Sequence, residues 1–120
     1  MKVERFEDII SWQKAKELTI LVYKIFEQSR DYGFKEQILR ASVSIMNNIA
    51  EGFERQTNNE FIHFMFIAKG STGEVRSMLY LAKELEKISQ DEFDTAFKLC
   101  EEISKTIIWF HQNIKTLKTL

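Results

Sequence analysis

The 120-residue chain is 44% apolar and 29% charged, a globular balance that excludes a disordered tail and suits one domain spanning residues 1–120. Its net charge of −1 gives no global attraction for nucleic acid, so any basic site has to be a local patch. A single cysteine, Cys100, excludes an intrachain disulfide framework and a thiolate metal cluster, and its expected role is that of a small buried hydrophobe.

The chain opens on Met1-Lys-Val-Glu-Arg-Phe-Glu-Asp8, with charge where the apolar run of a signal peptide would begin. No window approaches the roughly 18 uncharged apolar residues of a membrane span, and the expectation is a cytoplasmic protein without membrane contact. Proline is absent and glycine occurs four times, which favours long helices over a turn-rich sheet. After a lead-in carrying Phe6, Ile9 and Ile10, a first helix is expected over about 11–29. Its stripe is Trp12, Ala15, Leu18, Val22 and Ile25, widened by Leu21 and Phe26. Arg30-Asp-Tyr-Gly33 should break it, with Gly33 taking positive φ. A second helix is expected over about 34–54, with Ile38, Ala41, Ile45, Ile49 and Phe53 as its apolar positions.

Two further starts are legible as capping boxes, Thr57-Asn-Asn-Glu60 and Ser89-Gln-Asp-Glu92. They predict a third helix over about 58–87 and a fourth over about 90–117. The third buries Phe61, Phe64, Met65, Ala68, Thr72, Val75, Leu79 and Ala82. The fourth steps by three and four from Phe93 through Ala96, Cys100, Ile103, Ile107, Phe110 and Ile114 to Leu117, the 3.5-residue repeat of helices crossing near 20°. Four helices with short connections predict an all-α, antiparallel up-down-up-down bundle.

Two features go beyond that core. Arg40, Ser44, Asn48 and Glu51 recur at four and three and form one polar stripe beside the apolar positions of the second helix. On an antiparallel third helix they would face Ser71 and Glu74. A network that fixes helix register is the favoured reading, and a ligand pocket the alternative, because buried polar groups mostly serve hydrogen-bond satisfaction. Apolar residues are also in surplus. Ile62, Phe66, Ile67, Met78 and Leu81 on the third helix, and Phe97, Leu99, Ile108 and Trp109 on the fourth, lie off the main stripes. Monomers rarely expose large apolar patches, so a subunit contact is expected, with Phe66, Ile67 and Trp109 as its candidate residues.

Phe6-x-x-Ile9 with Trp12-Gln-Lys-Ala15, then Ser44-Ile-x-x-Asn48-Ile-Ala-Glu-Gly52, then Ile67-Ala-x-Gly-Ser71-x-x-Glu74, resemble the four-helix bundle family of 23S rRNA intervening-sequence proteins, over nearly the whole chain. Family members are encoded in insertions within bacterial large-subunit rRNA genes or elsewhere in the chromosome. A related branch is the accessory variability determinant of diversity-generating retroelements, which binds a reverse transcriptase and nucleic acid through a basic surface. The resemblance implies an antiparallel bundle, commonly a homopentamer, and implies no reaction. This chain departs from the retroelement branch in being slightly acidic.

Enzymatic readings find little in the residues. A ferritin-like di-iron centre needs two Glu-x-x-His motifs, and Glu60-Phe-Ile-His63 is one, its glutamate already used as a cap; the other histidine, His111, follows Ile108 by three. Cys100 lies in core register without an evident cationic activator. No enzyme, metal or cofactor is therefore expected. For nucleic acid, Lys69, Arg76 and Lys83 lie seven apart on the third helix with Tyr80 nearby, a line that would track phosphates and offer a stacking surface. Together these features point to a non-enzymatic, self-assembling interaction scaffold, with an RNA- or nucleoprotein-binding accessory factor as the alternative.

Overall fold

The local signals set where each helix begins and ends. The computed structural model describes residues 3–117, with side chains to residue 114, so the expected core role of Leu117 lies outside the described side chains. A 3-10 turn at Phe6–Asp8 precedes four helices, α1 (Ile10–Ile25), α2 (Tyr32–Phe53), α3 (Asn58–Glu84) and α4 (Gln90–Leu117), and the described residues contain no strand.

Three helix limits differ from expectation. The first helix stops at Ile25 rather than Ser29, because the chain tightens into three-residue turns, Glu27 N–H donating to Lys24 O and Ser29 N–H to Phe26 O. Phe26, 1% exposed, turns inward there against Phe34, ring centroids 5.5 Å apart. The second helix starts at Tyr32 because Asp31 caps it, its carboxylate accepting from Phe34 N–H at 3.2 Å. Gly33 therefore sits in the first helical turn, and no glycine has positive φ. The third helix ends at Glu84 rather than residue 87. Glu86 takes φ 57°, Glu86 N–H donates to Lys83 O, and Lys87 N–H reaches back to Ala82 O at 2.8 Å. That is a Schellman ending with glutamate where glycine is usual.

The two capping boxes differ. At Ser89 the exchange is reciprocal, Ser89 N–H donating to the Glu92 carboxylate at 2.9 Å and Glu92 N–H to Ser89 Oγ at 3.1 Å. At Thr57 the hydroxyl accepts from Glu60 N–H and donates to the Glu60 carboxylate, so no backbone N–H uses that carboxylate.

Contact registers give the helix directions. Thr19 meets Ser42 and Phe26 meets Phe34. Gln37 meets Glu74 and Ser44 meets Ser71. Phe66 meets His111 and Tyr80 meets Phe93. Lys14 meets Glu102, and Ser11 lies beside Thr106 and Phe110. In every pair the numbers rise on one helix as they fall on the other, so neighbours are antiparallel. α1 and α3, and likewise α2 and α4, lie across the diagonal, their backbones not packed together. The expected stripes meet in one core, with Leu18, Ile38, Ile45, Ile49, Phe61, Met65, Leu79, Ile103 and Ile107 fully buried. Trp12, Ile25, Phe53 and Phe64 sit at its half-buried edge. Met78 and Leu99, expected as surplus, belong to the core itself.

Candidate interaction surfaces

The polar stripe of α2 divides into three parts. Its centre is a true interhelix contact: Ser44 Oγ lies 3.0 Å from Ser71 Oγ, and Asn48 Nδ2 donates to Ser44 O at 2.8 Å and to Ser44 Oγ at 3.0 Å. All three residues are half-buried. The ends depart from the expected network. Arg40 is exposed and pairs with Glu36 at 2.7 Å one turn back on its own helix. Glu51 pairs likewise with Arg55 at 3.1 Å. Glu74 meets Gln37 at 3.4 Å, a partner the sequence reading did not name. Long charged side chains at helix positions four apart reach each other more cheaply than they cross a groove, which explains the rearrangement. Below the stripe, α2 and α3 pack closely at Gly52, where an added Cβ would stand 2.6 Å from Phe64 Cβ and 3.0 Å from Phe61 Cδ1. Gly70 and Gly73 of α3 have nothing within 4 Å of a built Cβ, so neither marks a close approach within the chain.

Above Ser44 the groove opens into a cleft of about 460 Å³ lined by Gly33, Glu36, Gln37, Arg40, Ser71 and Glu74, among others. Its carboxylates, guanidinium and amide already bond one another, and it holds neither thiol nor imidazole. Elsewhere, Cys100 is fully buried and burial pushes its thiol up to about 12, against a smaller opposing pull from Arg76, so it is a protonated packing group at neutral pH. Glu60 is engaged in its cap, while His63 and His111 lie edge-on to Phe64 and Phe66. Among the described residues no three His, Cys, Asp or Glu side chains gather as metal ligands would.

The basic line of α3 leans inward on α4. Arg76 lies over the Phe97 ring at 5.3 Å and Lys83 over Phe93 at 4.6 Å. Tyr80 packs between them against both rings, at 5.6 Å from Phe93 and 5.3 Å from Phe97. Phe93 and Phe97 are themselves stacked, one helical turn apart. Each cation–π contact is worth about 0.5–1 kcal/mol at exposed sites and more when desolvated, so the ladder knits α3 to α4. Lys69 is half-buried on the same side. The four-residue spacing of Phe93 and Phe97 is the sequence signal for this ladder, but spacing alone does not identify the helix that supplies its cations.

The apolar surplus lies outside the core at several places. Phe66, Ile67 and Leu81 of α3 are 44%, 40% and 49% exposed, and Ile108 and Trp109 of α4 are exposed as well. Trp109 borders an apolar cleft of about 260 Å³ formed with Val3, Ile9, Ile10 and Phe110. A further apolar face went unrecognised in the sequence. Ile20 and Tyr23 of α1 are 47% and 52% exposed, and Tyr23 shares a groove of about 340 Å³ with Glu36, Leu39, Arg40 and Val43 of α2. Both residues step off the α1 core stripe, and the placement of α2 beside Tyr23 makes the groove.

The model of the 23S rRNA-intervening sequence protein family matches residues 7–108. No curated protein matches the chain. Among solved structures, a protein of unknown function from the S23 ribosomal protein family of Bacteroides thetaiotaomicron is 25% identical, with a TM-score of 0.80 over 86% of this chain and 99% of that one.

Proposed function

This chain belongs to the 23S rRNA-intervening sequence protein family, and on that premise we propose that it is a non-enzymatic scaffold that works by assembling with copies of itself. The observation that carries the reading is the exposed apolar surface of α3, where Phe66, Ile67 and Leu81 stand 40–49% exposed on a helix whose own core face is already full. Leaving such side chains in water costs roughly 25 cal/mol per Å² of surface that association would cover. A ring of three or more copies joins two different patches on each subunit, and five is the number of copies that the family resemblance implies. No described helix is long and apolar enough to cross a membrane, so the exposed face is not a spanning segment.

Light scattering on the purified chain tests this. The expected mass is about five times the 14.2 kDa of the chain, the number of copies that the family resemblance implies. Phe66→Asp should dissociate the assembly with helical content kept, since its ring touches His111 at the surface and lies outside the core. A monomer at micromolar concentration would end the scaffold reading. The RNA- or nucleoprotein-binding alternative has weaker support, because Arg76 and Lys83 already lie over rings of α4. It predicts salt-sensitive mobility shifts with structured RNA that weaken when Lys69 is changed to Glu.

A further inference from the structure

We propose that the cleft at the start of α1 is a binding site for a small, uncharged apolar molecule that carries one carbonyl oxygen. The inference is independent of the self-assembly reading, because none of the cleft residues belongs to the α3 face that carries that reading.

The cleft encloses about 260 Å³ between the start of α1 and residues 106–110 of α4. A closed apolar cavity of about 150 Å³ already takes a benzene ring, so this one takes a ring with a short substituent. Its walls are Val3, Ile9, Ile10, Trp109 and Phe110, an apolar frame of the kind that holds a ligand body while a few polar groups orient it. Ser11 lies at the floor, 1% exposed, and its Oγ has no hydrogen-bond partner. A buried hydroxyl left unpaired is unfavourable, and with no partner inside the protein it can be met only from the cleft. Thr106, the other hydroxyl on the cleft wall, is already used, donating to Glu102 O and Ile103 O, each at 2.9 Å.

The backbone at the same point adds donors. α2, α3 and α4 begin on Asp31, Thr57 and Ser89, whose side chains accept a first-turn N–H. α1 begins on Ile9, which offers no such oxygen, and the N–H of Gln13 is the first to bond back, to Ile9 O at 3.1 Å. The N–H groups of Ile10, Ser11 and Trp12 therefore have no acceptor in the helix. Unmet donors beside an unmet hydroxyl require an acceptor on the ligand. Charge decides which acceptor. Asp8 is the one acidic side chain among the described lining residues, and no lysine, arginine or histidine stands with it. The positive end of α1 amounts to about half a charge, against the full charge of a carboxylate. An anionic ligand would thus face Asp8 without a counter-ion, whereas a carbonyl oxygen meets the same donors uncharged.

Acetophenone, toluene and benzoate are the probes, read by the δ1-methyl shifts of Ile9 and Ile10 in the intact protein. Ile88, buried at the other end of the bundle, should not move. Acetophenone should bind about three- to tenfold more tightly than toluene, the equivalent of one hydrogen bond, and benzoate more weakly than acetophenone. Ser11→Ala removes a hydroxyl that has no partner to lose, so it should fold as the parent does, leave toluene binding unchanged and remove most of the preference for acetophenone. Trp109→Ala should weaken acetophenone and toluene alike by opening the wall. Absence of shifts at Ile9 and Ile10 with all three probes at millimolar concentration would overturn the site. Equal binding of toluene and acetophenone, tighter binding of benzoate, or a preference unchanged by Ser11→Ala would overturn the ligand class.

Discussion

Gly52 of α2 lies so close to Phe64 of α3 that a methyl group on the glycine would stand 2.6 Å from Phe64 Cβ. The nearest atom is at the root of the phenylalanine side chain, so no rotamer change relieves it; the two helices would have to separate. Gly52→Ala should therefore destabilise the fold by about 1–3 kcal/mol, despite the better helix propensity of alanine. Gly33→Ala, with nothing within 4 Å of its built Cβ, should be neutral or stabilising by up to about 1 kcal/mol. Urea midpoints of the two variants measure the contrast. Equal effects would mean that α2 and α3 are farther apart at Gly52 than described.

The Ser44–Ser71 contact carries a second prediction. Each hydroxyl is half-buried, and Ser44 also accepts from Asn48, so removing Ser71 alone leaves Ser44 with one partner. A double-mutant cycle of Ser44→Ala with Ser71→Ala should give a coupling of about 0.5–1.5 kcal/mol. Asn48→Leu should cost about 1 kcal/mol or more, through its two lost bonds to Ser44. Additive single-site effects would show that the seam is met by water instead.

Asp31 links stability to acid. Its hydrogen bond from Lys87, at 3.0 Å, and that from Phe34 N–H hold its carboxyl below the ordinary 3.8. A carboxyl with a lowered folded-state pKa contributes stability that is present above its unfolded value and lost as pH falls through the folded one. The melting temperature should thus decline below about pH 4, and Asp31→Asn, which keeps a capping oxygen but not the ion pair, should make that decline shallower. An unchanged acid limb would place the acid sensitivity elsewhere.

Glu86 is the one non-glycine with positive φ among the described residues. Holding a side chain in that region costs about 1–2 kcal/mol, while glycine at the same point of a Schellman ending bears no such penalty. Glu86→Gly should raise the melting temperature, by several degrees for a domain of this size. A lower melting temperature would show that the glutamate side chain makes a compensating contact.

Much of this architecture follows from spacing alone. Three-and-four steps such as Cys100, Ile103, Ile107 and Phe110 commit a segment to one buried face whatever it packs against, and the Ser89–Glu92 box fixes a helix start within four residues. The Ser44–Ser71 contact follows from the opposite register of antiparallel neighbours. Tertiary structure decided the remainder. It turned Phe26 inward to end α1 early, and let Asp31 rather than Gly33 set the start of α2. It drew Arg76 and Lys83 onto Phe97 and Phe93 instead of into solvent. Arg40 and Glu51 left the expected network for partners one turn away on their own helix. Tyr23 became part of a groove only because α2 brought Leu39 and Val43 beside it. Periodicity records the side of a helix that is buried, but a long side chain off that stripe goes to whichever neighbour lies within its reach, and that is set by helices distant in the chain.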